Sequence, residues 1–247
     1  MDEEVRNTIT SSILCLKQED DKNAASVITT AIVWDYCATN VLMLTNYHTW
    51  VTQEFRPFFP PLMKARKKKS DSDEEDDDVA NVTLYLCDSM EKTILKFDLD
   101  SSLFSHYHEE YDFAILSLPR ENFNMPRIPI TLVGVDLTLK IHALGFIGHH
   151  GKYSITDGIV SSIIPGGFTM NLLSAPGFSG AAILADFQGR AVGYMGGNLD
   201  CSAAKNSQHQ SYAFKFDDVA IATRRQDSPP SSAEPSKKRT KSSSSGK

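Results

Sequence analysis

The most informative stretch of this chain is residues 175–181, Ala-Pro-Gly-Phe-Ser-Gly-Ala, which leads into the apolar run 181–184. Without a side chain at Gly177, the backbone can turn so that the amides of Gly177 and Ser179 point at one spot. Two converging amides are the donors that stabilise an oxyanion during acyl transfer. Gly-x-Ser-Gly also occurs in many ordinary turns. Its interpretation as a reactive serine therefore depends on two other segments.

Those segments contribute a histidine and an aspartate. Residues 44–50, Leu-Thr-Asn-Tyr-His-Thr-Trp, place His48 just beyond an apolar strand, and residues 111–116 place Asp112 where another strand begins. Taken singly, His48 reads as a structural histidine and Asp112 as a turn residue. The order His, Asp, Ser is that of chymotrypsin-type hydrolases. In such a triad His48 would take the proton of the Ser179 hydroxyl, and Asp112 would orient the imidazole.

Most of the remaining chain reads as short β-strands. Apolar or β-branched runs alternate with glycine and proline turns, and no long helical period is present, which favours an all-β barrel or sandwich. The prolines at 126 and 129 divide two consecutive β units, residues 8–121 and 126–223, and only 216–223 looks helical. The predicted strands lie at 27–34, 41–45, 82–86, 94–99 and 113–118, then at 140–144, 153–164, 168–172, 181–184, 191–195 and 211–216.

Two segments have the composition of disordered chain. Residues 64–69, Lys-Ala-Arg-Lys-Lys-Lys, run into the acidic block 70–78, and we predict a charged loop insertion over about 57–80. Residues 224–247 are rich in Ser, Pro and Lys and are predicted to form a disordered tail. The basic clusters are compatible with nuclear import signals, and equally with a solubilising role.

Composition indicates which partners and which cellular compartment to expect. The chain has 247 residues, 41% of them hydrophobic, and a net charge of −6, which argues against nucleic acid as the main partner. The four cysteines form no CxxC pair, the amino terminus lacks a signal peptide, and no apolar run could cross a membrane. An intracellular protein, cytoplasmic or nuclear, is expected. The histidines at 106, 108, 149 and 150 show no metal-ligand spacing, so neither metal nor cofactor is predicted.

Six segments together resemble one protease family. Residues 44–48 are similar to its Leu-Thr-Asn-x-His motif and residues 112–116 to its Asp-x-Ala-x-Leu motif. Residues 143–146, 153–161, 176–184 and 186–193 resemble its Ala-Ile-Gly strand, its Thr-x-Gly-Ile-Val-Ser strand, its serine turn and the hairpin that follows. The agreement in order over roughly residues 10–200 indicates a trypsin-like domain of the Deg/HtrA type.

The resemblance implies two consecutive six-stranded antiparallel β-barrels with the active site in the cleft between them. It implies a serine endopeptidase with a polypeptide substrate, a catalytic triad of His48, Asp112 and Ser179, and an oxyanion hole formed by Gly177 and Ser179. Leu173 would lie at the base of the primary pocket and favour apolar side chains there. A substrate strand would pair with Gly196, Gly197 and Asn198. No PDZ domain is expected after residue 223.

Three departures from the family pattern keep an alternative open. Phe178 replaces the usual Asn or Asp before the serine. After the serine, Ala181 and Ala182 replace the family's Gly-Gly or Gly-Pro. A positive φ at either alanine would be strained. The alternative is a weak or inactive protease-like module that binds extended peptides. A nucleic-acid or chromatin adaptor that uses the basic clusters is a third, less favoured class. The sequence leaves the oligomeric state open.

Overall fold

The computed structural model describes residues 3–19, 25–52, 54–59, 82–129, 134–148, 151–172, 174–185, 190–199 and 210–227. Leu173, the histidines at 149 and 150, most of the predicted charged loop and residues 228–247 lie outside these ranges. In the described part of the chain, no helix has both the length and the apolar character that crossing a membrane requires.

The first unit is a curled antiparallel sheet of seven strands preceded by a short helix. Its strands lie in the order β5-β4-β1-β2-β3-β7-β6. Short 3₁₀ helices follow β3 and β7. The elements are α1 (Glu3–Ser11), β1 (Ile13–Glu19), β2 (Ala25–Tyr36), β3 (Asn40–Asn46), β4 (Thr83–Cys87), β5 (Thr93–Asp98), β6 (Phe104–His108) and β7 (Phe113–Pro119).

The central strands β1, β2, β3 and β7 are buried on both faces, because their side chains alternate between two cores. On β2, Ala31 and Val33 contribute to the core inside the first unit. Their neighbour Ile32 points the other way, into a second core shared with Leu144 and Tyr194 of the second unit. This shared core packs the two units against each other.

The second unit is a closed antiparallel barrel in the order β10-β13-β12-β11-β8-β9. A carboxy-terminal helix packs against it. Phe168, Met170, Phe178 and Ile183 are among the residues that fill its interior. The elements are β8 (Lys140–Ile147), β9 (Lys152–Ile164), β10 (Gly167–Asn171), β11 (Ala182–Ala185), β12 (Arg190–Leu199), β13 (Gln210–Lys215) and α2 (Phe216–Asp227).

The predicted two-unit all-β architecture is confirmed, with corrections in detail. The first unit has seven strands, and its edge strands β5 and β6 do not pair with each other in the described residues. Strands β1 and β6 and helix α1 were not predicted, since β1 contains Lys17 and Gln18, and β6 contains two histidines. Helix α2 continues through 224–227, so the predicted tail begins too early.

The charged loop also begins later than predicted. Residues 56–58 form a 3₁₀ helix, and Phe59 is fully buried. The Phe59 ring packs edge-on against Tyr47, at 5.1 Å between ring centroids, and against Phe104, at 5.0 Å. Residues 57–59 therefore belong to the folded unit, because Phe58 and Phe59 pack against the first core.

Candidate active site

His48 and Asp112 meet because β3 and β7 are antiparallel neighbours. Asn46, the last residue of β3, pairs with Phe113, the first residue of β7. The residues just outside these ends therefore lie side by side. The His48 Nδ1 atom is 2.7 Å from Asp112 Oδ2, and the His48 backbone N–H donates to Asp112 Oδ1 at 2.8 Å. An ionised carboxylate only accepts hydrogen bonds, so Nδ1 carries the proton and Nε2 is left as the basic nitrogen.

Further bonds from β3 and its end hold the Asp112 loop. The Asn46 side-chain amide donates to Asp112 Oδ2 at 2.9 Å and to the Asp112 carbonyl at 3.3 Å. The backbone N–H of Tyr47 donates to the same carbonyl at 3.0 Å. Asp112 has φ +45°, in the left-handed region that non-glycine residues rarely adopt. These bonds compensate for that strained backbone and keep the carboxylate facing His48.

Two amides of the serine turn have no acceptor among the described residues. The amides of Phe178, Gly180 and Ala181 donate to carbonyls at 2.9–3.0 Å. In the described part of the chain, the amides of Gly177 and Ser179 donate to none. Gly177 has φ +91°, and the carbonyl before its amide accepts from Gly148 at 2.9 Å. Because N–H and C=O point in opposite directions across a trans peptide, the Gly177 N–H is directed away from Gly148. Amides at these two positions, unpaired within the described residues, are the donors that an oxyanion hole would require.

Strand β2 of the first unit holds this turn in place. The Thr30 N–H and the Thr29 hydroxyl both donate to the Ser179 carbonyl at 2.9 Å. The Thr30 hydroxyl donates to the Gly177 carbonyl at 3.1 Å and accepts from the Phe146 N–H at 3.0 Å. A buried hydroxyl thus fixes the turn from a strand 147 residues away in sequence.

Gly180 allows the turn to approach β2 closely. It has φ +80°, and a Cβ there would lie 2.2 Å from the Thr30 carbonyl oxygen and 3.3 Å from Asn46 Oδ1. No other residue type fits. The serine turn therefore packs beside Asn46, the residue whose amide binds Asp112.

Of the three predicted triad residues, the structure joins His48 and Asp112 directly and packs the turn that carries Ser179 against β2, beside Asn46. His48 and Asp112 are hydrogen-bonded, whereas the Ser179 hydroxyl makes no hydrogen bond to His48 or to any other described residue. Catalytic hydrogen bonds are often long before substrate binds.

The departures at 178, 181 and 182 fit the turn without strain. Phe178 is fully buried inside the second barrel, so packing anchors the turn where the family pattern has a polar residue. Neither Ala181 nor Ala182 is among the non-glycine residues with positive φ. Ala181 packs closely against Gly145, because a Cβ placed at Gly145 would lie 2.6 Å from the Ala181 Cβ. Position 181 therefore has space only for a small side chain.

The predicted substrate-binding residues on β12 present a free edge. Gly197 and Asn198 pair with Tyr212 and Ser211 of β13, while β11 pairs with β12 only as far as Tyr194. The other edge of residues 196–198 carries no strand in the described ranges, which suits an added peptide strand. Leu173, the predicted pocket base, lies outside the described residues.

Tyr194 is a candidate positioning residue that the sequence did not reveal. Its hydroxyl donates to the carbonyl of Tyr111, which adjoins Asp112. Burial, and secondly the Asp112 charge, raise the pKa of Tyr194 well above its usual value, so the hydroxyl remains a donor. Its neighbour Met195 exchanges backbone bonds with Gly180 and Ala181. One strand thus contacts both the carboxylate loop and the serine turn. A tyrosine in an apolar strand was the only sequence signal.

Two other histidines of the described ranges lie in structural contacts. The His108 ring lies 4.6 Å from the Tyr111 ring, and His142 Nδ1 lies 2.5 Å from Asp157 Oδ1. Within the described ranges, no three His, Cys, Asp or Glu side chains cluster as metal ligands would.

Solved structures with the same architecture include proteases. The serine endoprotease from Yersinia pestis matches with a TM-score of 0.59 and 13% identity, over 90% of this chain. Rv3671c from M. tuberculosis H37Rv, in the inactive form of a serine-to-alanine mutant, matches with a TM-score of 0.57 and 14% identity, over 93% of this chain. The chain has a chymotrypsin-like serine protease fold.

The extent of these matches differs between the two structures. This chain spans 64% of the length of the Yersinia structure and 94% of the Rv3671c structure. No protein-family model and no curated protein sequence matches the chain. The expected trypsin-like, HtrA-like architecture is therefore confirmed at the level of the fold.

Proposed function

We propose that this protein is a serine endopeptidase that cleaves polypeptides through His48, Asp112 and Ser179. The observation that carries the proposal is an imidazole oriented by a buried carboxylate, together with two serine-turn amides that have no acceptor among the described residues. The Asp112 side chain is 11% exposed, and that of His48 is 45% exposed. The base is therefore fixed from behind and accessible from the cleft.

The chemistry follows from these positions. The Ser179 Oγ attacks the scissile carbonyl carbon while His48 Nε2 takes the hydroxyl proton, and the carbonyl electrons move onto its oxygen. The Gly177 and Ser179 amides stabilise that oxyanion, and Asp112 stabilises the imidazolium. His48 then protonates the leaving amine as the C–N bond breaks. Water, deprotonated by His48, attacks the acyl ester and releases the acid with regeneration of Ser179.

Three further features of the proposal come from the sequence. Leu173 would favour apolar side chains at the residue before the cleaved bond. Residues 196–198 would hold the acyl part of the substrate as an added strand. An intracellular setting, cytoplasmic or nuclear, completes the proposal.

A second candidate function is peptide binding with little or no turnover. The absence of a hydrogen bond between Ser179 and His48 in the described structure favours it. The same cleft and the same free edge of β12 would then hold an extended peptide without cleaving it.

An active-site fluorophosphonate probe distinguishes the two. We expect labelling of the wild-type protein and of Ser161→Ala, which changes an exposed serine on β9, and none of Ser179→Ala. Labelling requires a hydroxyl activated by a base. If folded wild-type protein is not labelled, the endopeptidase proposal fails and the binding module remains.

A further inference from the structure

A cleft of about 310 Å³ opens beside His48 on the first unit. Val27 and Ile28 of β2 and the buried Phe55 give it an apolar wall. Gln18 and Glu54 stand at its exposed side, where the Gln18 amide donates to the Glu54 carboxylate. The function proposed above assigns no ligand to this cleft.

The cleft lies where the leaving half of a substrate must pass. In the proposed mechanism His48 donates its proton to the leaving amine, so the chain beyond that amine begins next to His48. The acyl half is assigned to residues 196–198 on the other unit. Strand β2 also offers an edge on this side, since β3 pairs with β2 only at and beyond Ile32. The Ser179 turn is hydrogen-bonded to β2 at Thr29 and Thr30, which directly follow the cleft residue Ile28.

The lining fits one class of side chain. Glu54 is the one carboxylate among the described lining residues, which include neither Lys nor Arg. Lys17, the cation of β1, is buried and does not line the cleft. An apolar wall with a carboxylate at its exposed end matches a long aliphatic stem with a cationic head. We infer that this cleft takes a lysine or arginine side chain from the first residues after the cleaved bond, and that Glu54 selects it.

This inference rests on the proposed function, and the first experiment measures cleavage. A randomised pool of short peptides is digested with wild-type protein, and the cut sites are read by mass spectrometry. We expect Lys or Arg to be enriched about threefold to fivefold over Glu after the cut, as befits a partly solvated ion pair. Glu54→Gln should abolish the enrichment and Glu54→Lys should reverse it. Glu121→Gln is the control, because Glu121 follows the end of β7 whereas Asp112 precedes its start. This variant should keep the enrichment.

A binding measurement separates failure of this inference from failure of the enzyme. Two labelled peptides, identical except for Lys or Glu after the apolar residue, are titrated into Ser179→Ala with and without Glu54→Gln. Tighter binding of the lysine peptide, lost with Glu54→Gln and weakened by salt, supports the cleft. Equal binding, no binding, or a lysine preference that survives Glu54→Gln overturns it. If the lysine preference holds but no peptide is cleaved, the endopeptidase proposal alone fails.

Discussion

The two halves of the candidate site are built in different ways. His48 and Asp112 come from the ends of adjacent strands, and their side chains are joined within the first unit. The serine turn belongs to the second unit, yet its position depends on Thr29 and Thr30 of the first. Sheet register places His48 and Asp112, whereas close packing between units places the turn that carries Ser179, the candidate nucleophile. The second half should therefore be the more sensitive to changes outside the triad.

Asp112→Asn should have the largest effect on activity. The asparagine amide would face His48 as a donor and force the wrong tautomer, so we expect kcat to fall about 10⁴-fold. The measurement is peptide hydrolysis with the fold checked by circular dichroism. Asp157→Asn is the matched control, since it alters the other His–Asp pair, in which the Asp157 side chain is 77% exposed. Equal losses in both variants would remove Asp112 from the mechanism.

Gly180→Ala tests the close approach of the serine turn to β2. The new Cβ would overlap the Thr30 carbonyl and sit at φ +80°, so we expect a loss of more than about 2 kcal/mol in the free energy of unfolding, with loss of probe labelling. Gly148→Ala has a similar φ of +71° but nothing within 4 Å. It should cost about 1 kcal/mol from backbone strain alone. If denaturant titration finds the two equally destabilised, the contact with β2 is not what constrains Gly180.

Thr30→Val removes the hydroxyl that links the serine turn to β8. The Phe146 N–H would lose its acceptor inside the protein, and we expect a destabilisation of about 1–3 kcal/mol together with slower labelling of Ser179. Thr83→Val, which removes an exposed hydroxyl bonded to Asp98, should change stability by no more than about 0.5 kcal/mol. Unchanged labelling in a folded Thr30→Val variant would contradict the role given to β2.

Tyr194→Phe tests whether β12 couples the two halves. Removal of its hydroxyl frees the Tyr111 carbonyl beside Asp112, and we expect a loss of about 1–2 kcal/mol in stability with a lower kcat. Tyr153→Phe removes a hydroxyl bonded to Thr10, away from the triad. It should affect stability without affecting kcat. If Tyr194 has only a structural role, Tyr194→Phe will have the same kcat as Tyr153→Phe.

The last prediction concerns stability at alkaline pH rather than activity. Burial raises the pKa of the Cys15 thiol from 9.0 to about 12, so the folded state favours the neutral thiol. The stabilisation is complete below about pH 9 and is lost as pH rises towards 12. The thiol lies near Gly151, in the turn that also contains Gly148. Over this range, chemical denaturation should show a steeper loss of stability for wild type than for Cys15→Ala; identical slopes would disprove the assignment.

Sequence patterns predicted the β architecture to different degrees along the chain. Strands such as β3 and β7 are continuous apolar runs and were recognised with nearly their observed bounds. Strand β1 was missed because Lys17 and Gln18 break its apolar pattern, although Lys17 is buried in the structure. Phe178 illustrates the reverse case, since the sequence identified an unusual residue but not the barrel core that accommodates it.

By itself, the sequence determined the reactive residue types, their order along the chain and two consecutive β units, because each depends on local spacing and strand periodicity. Only the tertiary structure decided that Asp112 faces His48 and that the Gly177 and Ser179 amides find no acceptor in the described part of the chain. It also decided that Thr30 and Gly180 hold the serine turn and that Tyr194 bonds the carbonyl beside Asp112. These contacts join residues 64 to 150 positions apart. They form only when two buried faces pack together, and no local pattern records which side chains then meet.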